Sequence, residues 1–330
     1  MRHICVLKKN TMTIISVPID DENHWRTLRR NHVGASEVSA LFSISPWVTR
    51  WQLYQIKRGA LPDVIESTAM TQGRHFEPAV AAYAAEKFAI NLRKVRRYLS
   101  DPDTRMGASV DYEQYGDGSL IPTELKFSLW GDGWDWEGDE LTEAPEYYVL
   151  QVQHQLACMP NAPHGQLIAF TGGDLKRMII PRSERLITAI KAAVWSFWQD
   201  VDAGKEPPVD FSADADAINR LAFVRKLRAV TMLPDKEPLF RAWQQAQRDA
   251  KDADARVEAA RAEIMKNVID AGEGPDTGLV VTCGAWRLSL SKIADNPGKE
   301  ITAAMVGERY GARKGYLRAA LKNTAEKKDG

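Results

Sequence analysis

The chain has 330 residues, with 44% hydrophobic and 27% charged. That balance excludes general disorder, and the length leads us to expect a catalytic domain plus an appended module. Lys plus Arg total 44 and Asp plus Glu total 44, which excludes a protein-wide basic field, so any nucleic-acid contact must come from local basic clusters. Cys5, Cys158 and Cys283 are too few and too scattered for a disulfide framework, a zinc knuckle or a cysteine-held cluster. No apolar run reaches bilayer length and the first 20 residues lack a signal-peptide core, so a cytoplasmic protein is expected.

In chain order, Met12 is followed by a sensible start, so the first eleven residues are expected to be an extension outside the fold, and residues 1–24 are set apart as an N-terminal extension. Helices are predicted near 36–43, 50–58, 76–89, 145–158 and 184–203, and strands near 92–99, 105–114, 119–128 and 165–180. This reads as an α/β core, a central mixed sheet of largely consecutive strands flanked by helices, over 25–204. The clusters Arg26/Arg29/Arg30, Arg50/Lys57/Arg58 and Arg93/Lys94/Arg96/Arg97 either line a phosphate-tracking groove or are solvated faces. The breaker-rich stretch from Gly204 to Asp210 reads as a linker to a C-terminal extension, 205–330, of open role. There, small or apolar residues at 239, 243, 246, 250, 253, 257, 260 and 264 form a heptad-like seam suited to a helical hairpin or coiled coil, with a helix near 214–231 as its candidate partner. Leu279 to Lys292 alternates like a β-hairpin around Cys283-Gly284-Ala285, and Ala325 to Gly330 reads as a frayed tail.

The most informative pattern is Asp111 followed by Glu124-Leu125-Lys126. Asp117-Gly118 is a favoured two-residue turn, and symmetric pairing around it sets Asp111 opposite Glu124. Residues two apart on a strand share a face, so Asp111, Glu124 and Lys126 converge on one side. Pro122 weakens that register, because it forbids a ladder bond and favours an edge or a bulge. Facing carboxylates repel unless a cation sits between them, and hard oxygen ligands suit Mg²⁺. The lysine would position a water or offset charge on a phosphate. The same residues also make an ordinary cross-strand salt-bridge patch. Glu77, expected at the head of a helix on the face of Val80, Ala81 and Ala84, is either a further site carboxylate or one stabilised by the helix dipole. Gln153 falls on an inward stripe between Val149 and Leu156, as a site amide or a core amide bonded to backbone.

Trp25 through Arg29, Gly34-Ala35-Ser36-Glu37-Val38, Gly73-x-x-Phe76-Glu77, Asp111, Glu124-Leu125-Lys126 and Gln151-Val152-Gln153 together resemble, in order, the YqaJ-type viral recombinase and lambda-type phage exonuclease family of the PD-(D/E)XK nuclease superfamily. The resemblance spans roughly residues 25–200. It implies a restriction-endonuclease-like fold and Mg²⁺, with Mn²⁺ as a substitute, held by Asp111, Glu124 and the Leu125 carbonyl. Lys126 would be the catalytic lysine, Glu77 an assisting carboxylate and Gln153 the glutamine near the attacking water. Arg29 and Ser36 match positions that hold a 5′-phosphate; alone they read as a solvated arginine and an N-cap serine. Val110 stands where the family's proline precedes the first acidic residue. The implied activity is 5′-to-3′ digestion of linear double-stranded DNA ends, leaving 3′ strands for a phage single-strand annealing protein, in a trimer as among relatives. The alternatives are a PD-(D/E)XK endonuclease and an inactive DNA-end-binding or scaffold protein.

Overall fold

The chain folds, in the computed structural model, as β1 (Cys5–Lys9), β2 (Met12–Pro18), α1 (Glu22–Arg30), β3 (Val33–Gly34), a 3-10 turn at Val38–Phe42, α2 (Arg50–Lys57) and α3 (Thr68–Lys87). There follow β4 (Leu92–Lys94), β5 (Arg97–Asp101), β6 (Met106–Ser109), β7 (Tyr112–Gly116), β8 (Ser119–Phe127), β9 (Asp135–Glu137) and β10 (Glu140–Glu143). Next come α4 (Glu146–Cys158), β11 (His164–Thr171), β12 (Asp174–Pro181), α5 (Glu184–Asp202), α6 (Ala215–Val224), α7 (Glu237–Asp270), β13 (Leu279–Cys283), β14 (Trp286–Lys292) and β15 (Leu317–Asn323). The structure describes residues 5–9, 12–63, 67–116, 118–128, 133–224, 234–271, 279–292 and 317–323. It divides into two units, Met1–Arg228 and Ala229–Gly330.

The first unit is a mixed α/β fold with two sheets, one ordered β1-β2-β5-β6-β3 and the other β4-β7-β8-β11-β12-β10-β9. The expected single strand over 105–114 breaks at Val110 and Asp111, and its halves, β6 and β7, enter different sheets. The expected strand over 92–99 breaks likewise into β4 and β5. Asp111 therefore sits where the chain crosses between sheets. The expected strand over 165–180 is a hairpin turned at Gly172 and Gly173, whose φ of 61° and 88° favour glycine.

The β7–β8 register is the symmetric one, Tyr112 to Thr123 through Gly116 to Ser119, with no bulge at Pro122. Parallel pairing of β8 with β11 starts at Thr123, one residue past the proline, so the ladder on that side begins where a donor is available. Helix α4 crosses this sheet and is buried from Leu150 to Cys158. It can lie so close because Gly165 on β11 lacks a side chain: a Cβ there would come within 2.4 Å of Val152 Cγ1.

Three further expectations change. Strand β2 pairs with β5 and Ile14 is fully buried in the main core, so part of the presumed extension 1–24 belongs to the fold. Helix α6 packs through Ala217 and Leu221 on Trp51, Ile56 and Leu61. Asp214, with no exposed surface, accepts from Thr49 Oγ1 at 2.6 Å and Gln52 Nε2 at 2.9 Å. Residues 205–224 thus cover α2 instead of forming a free linker, and residues 225–231 of the helix expected as the seam's partner lie outside the described residues. In the second unit α7 contains the seam and β13 pairs with β14 around Gly284, as expected. The tail over 325–330 lies outside the described residues.

Candidate functional site

Strand β8 carries Glu124 and Lys126 on one face, and α4 presents Gln151 and Gln155, four apart on one helical face, toward them. Glu124 is only 3% exposed. Its Oε1 accepts from Lys126 Nζ at 2.7 Å and Gln151 Nε2 at 2.6 Å, and its Oε2 accepts from Gln155 Nε2 at 2.6 Å. Lys126 also donates to Gln151 Oε1 at 3.3 Å and lies 4.5 Å from the ring centroid of Tyr148. Asp111 Oδ2 accepts from the Leu125 backbone N–H at 3.1 Å, which fixes its carboxylate against β8.

Burial, then the neighbouring Glu124, pushes the Asp111 carboxyl well above the usual carboxylate range. Burial opposes the Lys126 charge, but Glu124 and Asp111 outweigh it and hold the ammonium above the ordinary lysine value. Lys126 is therefore a charged donor here. It is not a ready proton acceptor.

One cavity of about 200 Å³ joins this cluster to the α1 region: Arg29, Ser36, Asp111, Glu124, Lys126 and Gln151 all line it. Arg29 reaches Ser36 Oγ at 3.4 Å and Glu37 Oε1 at 2.9 Å, and its guanidinium covers the Trp25 ring at 4.6 Å. Behind it, Lys57 Nζ donates to Glu37 Oε2 at 2.7 Å and to the Arg29 carbonyl at 2.8 Å. Although burial opposes its charge, Lys57 and Arg29 bring the Glu37 carboxyl down to about 2. Glu37 and Lys57 escaped the sequence reading as supports of Arg29. The available signal was an acidic residue next to Ser36 inside the quoted motif.

Two expected site residues lie elsewhere or differently. Gln153 donates through Nε2 to the Pro181 carbonyl at 2.7 Å and accepts through Oε1 from Ser183 N–H at 3.0 Å. It therefore ties α4 to the β12–α5 junction, and it is Gln151 that faces Glu124 and Lys126. Two residues along a helix rotate a side chain by about 200°, so both cannot face Glu124. Glu77 is in the middle of α3, not at its head, and is paired with Lys94 at 2.6 Å; its charge still contributes to raising Asp111. The basic clusters are largely ion-paired. Arg26 and Arg30 face Asp63, Arg50 faces Asp200, and Arg93 and Arg97 face the buried Glu113. Arg58 donates to the Val201 carbonyl.

Comparison with known proteins bears on this cavity directly, because residues 24–171 match the model of the YqaJ-like viral recombinase domain. The match covers a little under half of the chain. The matched span contains the cavity residues from Trp25 through Gln151. The chain is also 29% identical over 202 residues to the uncharacterized protein YqaJ of Bacillus subtilis (strain 168), a match spanning 59% of this chain and 61% of that protein. Among solved structures it is similar to an alkaline exonuclease from Laribacter hongkongensis, with TM-score 0.41, 18% identity, and coverage of 60% of this chain and 98% of that one. A phage related exonuclease from Haemophilus somnus 129PT aligns with TM-score 0.39 and 10% identity, over 55% of this chain and 99% of that one.

The donor set of this cavity fits a hard divalent cation. Two carboxylates come together at a buried position with the charge of one of them, Asp111, under-compensated, and a cation relieves that conflict. Among the described residues no group of three or more His, Cys, Asp or Glu is placed to hold a metal.

Proposed function

We propose that this protein is a divalent-metal-dependent exonuclease that digests linear double-stranded DNA from the 5′ end and leaves 3′ single strands for recombination. The observation that carries this reading is the single cavity in which Arg29 and Ser36 meet Asp111, Glu124, Lys126 and Gln151. It sets anion-binding donors beside a carboxylate pair with a lysine, which suits a phosphodiester and little else of comparable size.

In this reading Asp111, Glu124 and the Leu125 carbonyl hold Mg²⁺, or Mn²⁺ in its place, which supplies Lewis acidity at the scissile phosphate. Lys126, kept charged by Glu124, donates to a phosphate oxygen or orients the attacking water, and stabilises the negative charge that builds on the oxygens as phosphorus becomes five-coordinate. Gln151 fixes both Glu124 and Lys126, so the two groups keep one geometry. Arg29 offers forked donors to a terminal 5′-phosphate, with Ser36 adding a hydroxyl. Holding the end phosphate sets where the next bond lies, and that favours removal of nucleotides from the end. The implied partners are DNA ends and a phage single-strand annealing protein, in the cytoplasm.

The test uses purified protein with Mg²⁺ on linear duplexes carrying a 5′-phosphate or a 5′-hydroxyl, beside a closed circle. The 5′-phosphorylated duplex is expected to be shortened fastest and the circle to stay intact. Equal cleavage of the circle would make the protein an endonuclease. Absence of metal-dependent cleavage would reject the enzymatic reading.

A further inference from the structure

Helix α7 runs for 34 residues without one buried residue. Along it Leu239, Trp243, Ala246, Ala250, Ala253, Val257, Ala260 and Ile264 recur at alternating spacings of four and three, which places them on one face. That face is bare: Leu239, Trp243 and Val257 are 64%, 63% and 64% exposed. Within the first unit, α6 packs through Ala217 and Leu221 on α2. An amphipathic helix of this length buries its stripe against something.

We propose that the occupant is α7 of a second copy of this chain, packed antiparallel in the register that sets Ala250 against Ala253 of the second copy. This register engages the whole seam. Trp243 then meets Ala260, Ala246 meets Val257 and Leu239 meets Ile264, so the alanine centre is flanked by layers of large against small and two branched side chains close each end. The flanking charges select the direction. In antiparallel packing Asp249 lies beside Arg256 of the second copy, and the two-fold axis repeats the pair. Arg261 comes to Phe240 of the second copy, a cation against an aromatic face. In a parallel pair the same flanks would set Asp249 against Asp254 and Arg256 against Arg261, like charge on like charge. The seam alone allows either direction, and the charges allow one.

The test uses two versions of the full chain, distinguished by a tag, both with Cys5→Ser and Cys283→Ser. One carries Ala246→Cys and the other Val257→Cys. After mixing and mild oxidation, a disulfide joining the two versions is expected. Self-pairs within each version would show parallel packing and overturn the proposal, as would the absence of any cross-link. Because the readout is which cysteines meet, association through other surfaces does not mimic it. Independently, Asp249→Arg should weaken self-association of the full chain about tenfold in sedimentation. Adding Arg256→Asp to the same chain should restore it, and failure of that rescue would also refute the pairing.

Discussion

The two glutamines of α4 make a sharp test, because the resemblance singled out Gln153 whereas the folded geometry turns Gln151 toward Glu124 and Lys126. Gln153 is 2% exposed and makes two hydrogen bonds to backbone, at 2.7 Å to Pro181 and 3.0 Å to Ser183. Gln153→Ala strands both partners, and a stranded buried group costs roughly 1–3 kcal/mol. Pro181 is exposed and water reaches part of this junction, so the lower end applies, for a total of about 2–3 kcal/mol. Cleavage per folded molecule should stay within about threefold of wild type. Gln151→Ala removes the 2.6 Å donor to Glu124 and the acceptor for Lys126, beside a cavity where water can take over the lost bonds. Its stability should fall by only ~1 kcal/mol, whereas cleavage should drop about 10²–10³-fold, as when one preorganised donor is removed from an active site. Urea unfolding followed by tryptophan fluorescence, together with a linear-duplex cleavage assay, measures both quantities. Gln153→Ala that abolishes cleavage at unchanged midpoint, with Gln151→Ala cleaving normally, would refute the site geometry.

Other outcomes follow from the same contacts. Burial holds His154 neutral, with its pKa lowered to about 4. The unfolded chain binds that proton nearer pH 6.5, so stability should fall by about 3 kcal/mol as pH drops from 6.5 to 4; a denaturation series should show His154→Gln losing that part of the slope. Arg29→Lys should cut the preference for 5′-phosphate ends by about tenfold or more, because lysine lacks the fork, measured by comparing 5′-phosphate and 5′-hydroxyl duplexes. Asp214→Ala should cost about 2–4 kcal/mol in urea unfolding by stranding Thr49 and Gln52; a loss below 0.5 kcal/mol would show that residues 205–224 are not part of the first unit's fold.

The parts of the site legible in the sequence are those fixed by short-range geometry. A two-residue turn determines the β7–β8 register, so the convergence of Glu124 and Lys126 with Asp111 was readable before any tertiary contact. Where tertiary packing decides, the reading ran out. Helix α4 is buried all round from Leu150 to Cys158, so an inward-facing glutamine is no distinction, and only the approach of β8 selects Gln151 and Gln155 over Gln153. Gly204 to Asp210 has the composition of a linker, yet the segment that follows packs on Trp51 and Ile56 and is held to the fold there. Lys57, clustered with Arg50 and Arg58, was read as either groove-lining or solvated; its burial against Glu37 depends on a contact 20 residues away. Ile14 has no sequence neighbour that announces burial, because its partner strand β5 is some 80 residues downstream.

The central claim is that Lys126 and the carboxylates beside it form a hydrolytic site on DNA. The most direct measurement compares wild type and Lys126→Ala on a 5′-phosphorylated linear duplex with Mg²⁺, scoring product and DNA retention in the same samples. The account predicts metal-dependent shortening by the wild type, and retention of DNA without shortening by the variant. Shortening by Lys126→Ala at the wild-type rate would contradict it.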